Sequence, residues 1–104
     1  MKNEVFYGKG INFIKDEDPE LYEAYVELNN QVYTGKALDY KTQKLVAIGI
    51  EASKADDRST KKQMESAMQE LGITKQEILD VLKIVLLTSG APAFNKSVKI
   101  LNTI

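Results

Sequence analysis

The sequence predicts an all-α fold, a single-domain bundle of about six helices over residues 1–104. Three observations predict it. Apolar residues recur at helical spacing, and no segment alternates with the period of a strand. Start and stop signals punctuate the chain at Asp18-Pro19-Glu20, Asp39, Gly72 and Thr74-Lys75-Gln76-Glu77. No Asn-Gly or Asp-Gly pair offers a tight hairpin turn.

Residues 4–15 form a short first helix in this reading. Val5, Phe6, Ile11, Phe13 and Ile14 supply its contacts, and Gly8 and Gly10 weaken it. Asp18 then caps a second helix with Pro19 at its first position and Glu20 in its first turn. Leu21, Tyr25, Leu28 and Val32 make its stripe, and Gly35 is its natural stop. Its tyrosines, Tyr22, Tyr25 and Tyr33, read as core or interface residues.

Asp39 caps a third helix from Tyr40 to about Ser53. It is apolar all round between Leu45 and Ile50, the pattern of a buried helix. Asp56 or Asp57 caps a fourth, with the stripe Met64, Ala67, Met68 and Leu71, and Gly72 ends it. Thr74 and Glu77 make a capping box for a fifth, whose apolar residues from Ile78 to Leu87 cover more than one face. Ser89-Gly90-Ala91-Pro92 breaks it. A last helix carries Phe94, Val98 and Leu101. Two helices apolar beyond a single stripe, in so short a chain, predict subunit association.

The composition excludes several chemistries. The 104 residues carry a formal charge of −1, with no basic excess for nucleic acid. There is no cysteine and no histidine, so thiol nucleophiles, disulfides, thiolate metal sites and histidine-activated nucleophiles are all absent. No cofactor or metal is expected. No apolar run approaches the length of a membrane span or a secretory leader, which makes a cytoplasmic protein the expectation.

Three segments carry a resemblance. Leu38-Asp39-Tyr40-Lys41-Thr42-Gln43-Lys44-Leu45-Val46-Ala47 opens a helix. Leu71-Gly72-Ile73-Thr74-Lys75-Gln76-Glu77-Ile78 is a glycine turn into a capped helix. Ser89-Gly90-Ala91-Pro92-Ala93 is the break before the last helix. In this order and spacing, over about residues 20–104, they resemble the carboxymuconolactone decarboxylase and alkylhydroperoxidase D-like family. The resemblance implies an all-helical fold and a homo-oligomer, commonly a trimer or hexamer. In the peroxidase branch it also implies a Cys-x-x-Cys pair opening a helix, a histidine four residues after the second cysteine, and a glutamate in the preceding helix.

Laid on this chain from the Lys41-Thr42 side, the cysteines fall on Asp56 and Ser59, the histidine on Gln63 and the glutamate on Lys44. Laid from Gly72, the cysteines and histidine fall on Asp57, Thr60 and Met64. Either way every redox residue is replaced. Dithiol peroxidase activity is therefore not expected, because no thiolate can attack peroxide and no second thiol can resolve the product.

The decarboxylase branch leaves a non-redox alternative, acting on a small carboxylic acid or lactone. Lys44 would be its cation, and Glu51 lies two helical turns further on. Asp56, Ser59 and Gln63 lie near a helix start that favours anions. Each residue also has a plainer reading. Lys44 is a lysine laying its stem along the surface. Glu51 pairs with a neighbouring lysine, Asp56 is a cap, and Ser59 and Gln63 are solvated helix residues. A non-catalytic oligomeric domain keeping only the family fold is the other function class.

Overall fold

The computed structural model describes residues 9–104. Among them are six α helices and no strand: α1 (Lys9–Glu17), α2 (Pro19–Val32), α3 (Tyr40–Ser53), α4 (Asp57–Leu71), α5 (Lys75–Ser89) and α6 (Ala91–Thr103). They gather into two compact units, Met1–Tyr40 and Lys41–Ile104.

In the first unit α1 packs on α2. Of the expected helix over residues 4–15, positions 9–15 are helical within α1, and its first five positions lie outside the described residues. Asp18 caps α2 as expected, its carboxylate accepting the Leu21 N–H at 3.2 Å, with Pro19 following. The helix ends at Val32 rather than running to Gly35, and Tyr33 closes it by donating its N–H to the Asn29 carbonyl. The stripe is the main correction here. Leu21, Leu28 and Val32 are 53, 62 and 56% exposed, whereas Tyr22 is buried beneath the Lys15 ammonium. Periodicity found residues that share a face. It did not say which face would be covered.

The second unit holds the core. Ile48 and Ala52 of α3, Met64 and Ala67 of α4, Ile73, Ile78, Leu82 and Val85 on the α5 side, and Ala93 and Leu101 of α6 form one buried cluster. Helix α6 packs against both α4 and α5. The buried Ser97 lies on its inner face and satisfies its hydroxyl by donating to the Ala93 carbonyl at 2.8 Å. That local bond removes the penalty of burying a hydroxyl among apolar groups.

Local chemistry sets the boundaries of these helices. Asp56 caps α4. Gly72 ends it in the left-handed conformation (φ 64°), where a Cβ would be strained, and returns its N–H to Met68. Thr74 and Glu77 form the expected capping box of α5. Between α3 and α4 the chain turns through Ala55, itself at φ 58°. Lys96 of α6 braces that turn, donating to the Ala55 carbonyl at 3.1 Å and lying 3.7 Å from Asp57.

Helix α3 departs from its expected burial. Ile48 and Ala52 are fully enclosed, but Val46 and Ile50 are half exposed. Helix α5 repeats the pattern, with Ile78, Leu82 and Val85 inside and Ile84 and Leu87 outside. Both helices present one apolar face to the core and a second to solvent.

Candidate functional site

Helices α3 and α4, with the turn that joins them, carry all five residues singled out in the sequence. Lys44 sits one helical turn before Ile48, on the inward face of α3, and is fully buried. Its Nζ donates to the Gln63 Oε1 of α4 at 2.7 Å. This overturns the surface-lysine reading. The four-carbon stem runs inside the fold, and the ammonium meets a half-buried amide there. Gln63 is correspondingly no solvated helix residue.

The other three candidates are arranged differently. Asp56 Oδ1 accepts the Ser59 N–H at 2.9 Å, closing the first turn of α4. That bond is the main cause holding the Asp56 carboxyl below its usual 3.8. Asp56 is therefore a fixed anion at neutral pH, unsuited to giving up a proton, and its work is capping. Ser59 is half buried behind it. Glu51 lies 3.9 Å from Lys54, the neighbouring lysine its plainer reading required. So the fold joins Lys44 to Gln63 and Asp56 to Ser59, as two separate pairs.

A second carboxylate is tuned nearby. Glu77 completes the capping box of α5 and meets Lys41 Nζ at 2.8 Å. The Lys41 ammonium first, and the Thr74 N–H second, hold Glu77 below its usual 4.5. For both carboxyls the folded value is the depressed one. The stability they contribute is complete above the unfolded-state values and is lost as pH falls through the folded ones. Melting temperature is therefore expected to be flat near neutrality and to fall on acidification below about pH 5. An Asp56→Asn, Glu77→Gln double variant should melt lower at neutral pH and show a shallower acid slope. An unchanged slope would mean that other carboxylates govern acid unfolding.

Sequence reasoning missed an apolar groove of about 440 Å³ between α3 and α5. Leu45, Val46, Gly49 and Ile50 line one side and Val81 and Ile84 the other. None of its described lining residues is charged. Gly49 brings the helices close, since a Cβ there would stand 3.2 Å from Val81 Cγ1. A glycine inside an apolar helical run was the available signal. A second cavity of about 250 Å³ lies between α5 and α6, beside Leu79 and Leu101. Neither cavity is lined by Lys44, Glu51, Asp56, Ser59 or Gln63. Among the described residues no cluster of acidic side chains is placed to hold a metal, and no helix is long and apolar enough to cross a membrane.

The sequence resemblance implied an all-helical fold, which the described residues show, and the family comparison agrees with the resemblance. The carboxymuconolactone decarboxylase family model matches residues 19–103. The chain belongs to that family. It is 63% identical over 101 residues to Uncharacterized protein MJ0742 of Methanocaldococcus jannaschii, covering 97% of each chain. It is 40% identical over 89 residues to Uncharacterized protein MJ1511 of the same organism, covering 86% of this chain and 82% of that one. These relatives carry no assigned activity in their names, so the substrate must be argued from the residues.

Proposed function

We propose that this protein is a thiol-independent member of its family whose Lys44–Gln63 pair receives a small carboxylic acid or lactone. The observation that carries the reading is the ammonium of Lys44, enclosed by the fold and 2.7 Å from the Gln63 amide. By the resemblance, these two positions correspond to the glutamate and histidine of the peroxidase branch. The bond between them supports placing the pattern on Asp56, Ser59 and Gln63 rather than one residue later. An ammonium in a water-poor setting attracts a carboxylate more strongly than one in solvent. Where the substrate's carboxylate stands β or vinylogous to its ketone or lactone carbonyl, breaking the C–CO2 bond releases carbon dioxide and places the bond's electron pair on that carbonyl as an enolate. Lys44 would stabilise that charge, and a proton returned to carbon completes the reaction. Assembly as a trimer or hexamer and a cytoplasmic setting complete the proposal. The exposed apolar faces of α3 and α5 support the assembly.

A second reading has its own observation. Lys44 is wholly enclosed, and neither described cavity reaches it. A ligand must therefore open the packing around Lys44 to touch the ammonium. If none does, the pair is a structural tie between α3 and α4, and the protein is a non-catalytic oligomeric domain.

A thermal-shift screen against small carboxylic and lactone acids separates the two, with Lys44→Met as the control. Stabilisation of the native chain by at least one acid, absent in the variant, is expected from the binding reading; a ligand at 100 times its Kd adds about 2.7 kcal/mol. No stabilisation by any acid, or equal stabilisation of the variant, favours the structural domain. A peroxidase assay with a dithiol donor should read zero. Turnover there would overturn the argument from absent thiols.

A further inference from the structure

We propose that Lys44 is the nucleophile of this site as well as its cation, and that its side-chain nitrogen condenses with the ketone of a small β-keto acid. The inference rests on the acid-binding reading above and narrows its substrate class to acids whose ketone lies β to the carboxylate.

The side-chain inventory points to this nitrogen. With no cysteine and no histidine, the chain has neither a thiolate nor an imidazole-activated hydroxyl. The buried polar and charged residues among those described are Lys44, Thr60, Ser66 and Ser97. Both serines donate their hydroxyl protons to backbone carbonyls of their own helices, those of Gln63 and Ala93. Lys44 is the member of this set that carries an amine, and every other lysine from Lys15 to Lys99 is exposed. Enclosure matters to the chemistry. An amine attacks a carbonyl in its uncharged form, and withdrawing water from a lysine penalises the charged form relative to that one.

The 2.7 Å contact with Gln63 supplies direction. The amide oxygen accepts an N–H of Nζ, and an iminium nitrogen keeps one N–H. Gln63 therefore holds the nitrogen before and after condensation, as a positioning residue. Fixing that bond and the lysine stem leaves the substrate carbon a single direction of approach. Gln63 is half buried, so solvent reaches the residue that holds Nζ, and an acid enters from that side as the packing opens.

The steps balance. The Lys44 ammonium and the ketone lose water between them and form an iminium, with the positive charge carried over. The bond to the carboxylate carbon then breaks and carbon dioxide leaves. The electron pair of that bond neutralises the iminium as an enamine. A solvent proton adds to the enamine carbon, and water hydrolyses the new iminium to the shortened ketone and the Lys44 ammonium. A lactone does not follow this course. Attack by the same nitrogen opens the ring and leaves a stable amide on Lys44, which ends turnover.

The test uses the full chain, with acetoacetate as the probe and cyanoborohydride to reduce any imine. Intact-mass spectrometry should show a gain equal to the acid, or to the acetone it yields, less one oxygen. Peptide mapping should place the gain on Lys44, and Lys44→Met should lose it. Butyrate, which has the carboxylate without the ketone, should leave the mass unchanged. The chain unfolded in guanidinium gives the background, in which Lys44 should label no faster than the exposed lysines. Should methionine disturb the fold, the comparison of folded with unfolded native chain decides by itself.

Thermal stabilisation by acetoacetate without an adduct overturns the covalent step and leaves the acid-binding reading standing. Neither stabilisation nor adduct overturns both. Adducts spread over the exposed lysines, with Lys44 labelling no faster folded than unfolded, overturn the assignment of the nucleophile.

Discussion

Lys44→Ala is expected to remove about 2–4 kcal/mol of folding stability, whereas Lys44→Met should remove less than about 1 kcal/mol. The two differ because Lys44 does two things. Its stem fills space on the inward face of α3, fully buried and one turn before the core residue Ile48. Alanine empties that space and also leaves the Gln63 oxygen without the donor it has at 2.7 Å. Methionine refills the volume with a flexible apolar chain, and replacing a buried charge by a well-packed apolar group is often neutral. Gln63 is only half buried, so its freed oxygen can turn to water. Urea denaturation of the three proteins measures both differences. If methionine costs as much as alanine, the ammonium itself holds the fold and is not available to a ligand. If methionine is tolerated and abolishes acid binding, structure and function separate at this position.

Leu82→Ala is expected to destabilise the protein by about 3 kcal/mol, and Leu87→Ala by less than about 0.5 kcal/mol in the monomeric fold. Both leucines lie on α5, five residues apart. Leu82 is fully enclosed in the core cluster, so truncation leaves a cavity that its rigid neighbours cannot close. Leu87 is 88% exposed. Its truncation removes little contact within one chain. Chemical denaturation at low protein concentration isolates the folding term. At high concentration, a loss confined to Leu87→Ala would register the subunit contact instead. A Leu82→Ala change below 1 kcal/mol would mean that the core around α4, α5 and α6 is not packed as described.

The helix boundaries were legible because their causes are local. Asp18 before Pro19, Thr74 with Glu77, and Gly72 each satisfy or free a backbone group within a few residues. No distant part of the chain can change that requirement. Gly35 shows the limit of such signals: α2 stops at Val32, three residues early, and the glycine marks only the loop beyond. The candidate site was legible in part. The resemblance put Lys44 and Gln63 on the same short list. It could not say that they touch, nor that Asp56 and Ser59 form a pair of their own.

By itself the sequence determined that the fold is helical, where most helices begin and end, and that no thiol or imidazole chemistry is available. These follow from backbone capping, hydrophobic spacing and the inventory of side chains. Only the tertiary structure decided which apolar faces are covered. Spacing tells which residues point the same way; burial depends on what stands opposite. For this reason the predicted stripe Leu21, Tyr25, Leu28 and Val32 faces solvent, while α3 buries Ile48 and leaves Ile50 half exposed. A lysine stem is long and apolar enough to lie along a surface or within a core, and the placement of α4 settled that for Lys44 by setting the Gln63 amide where the ammonium ends.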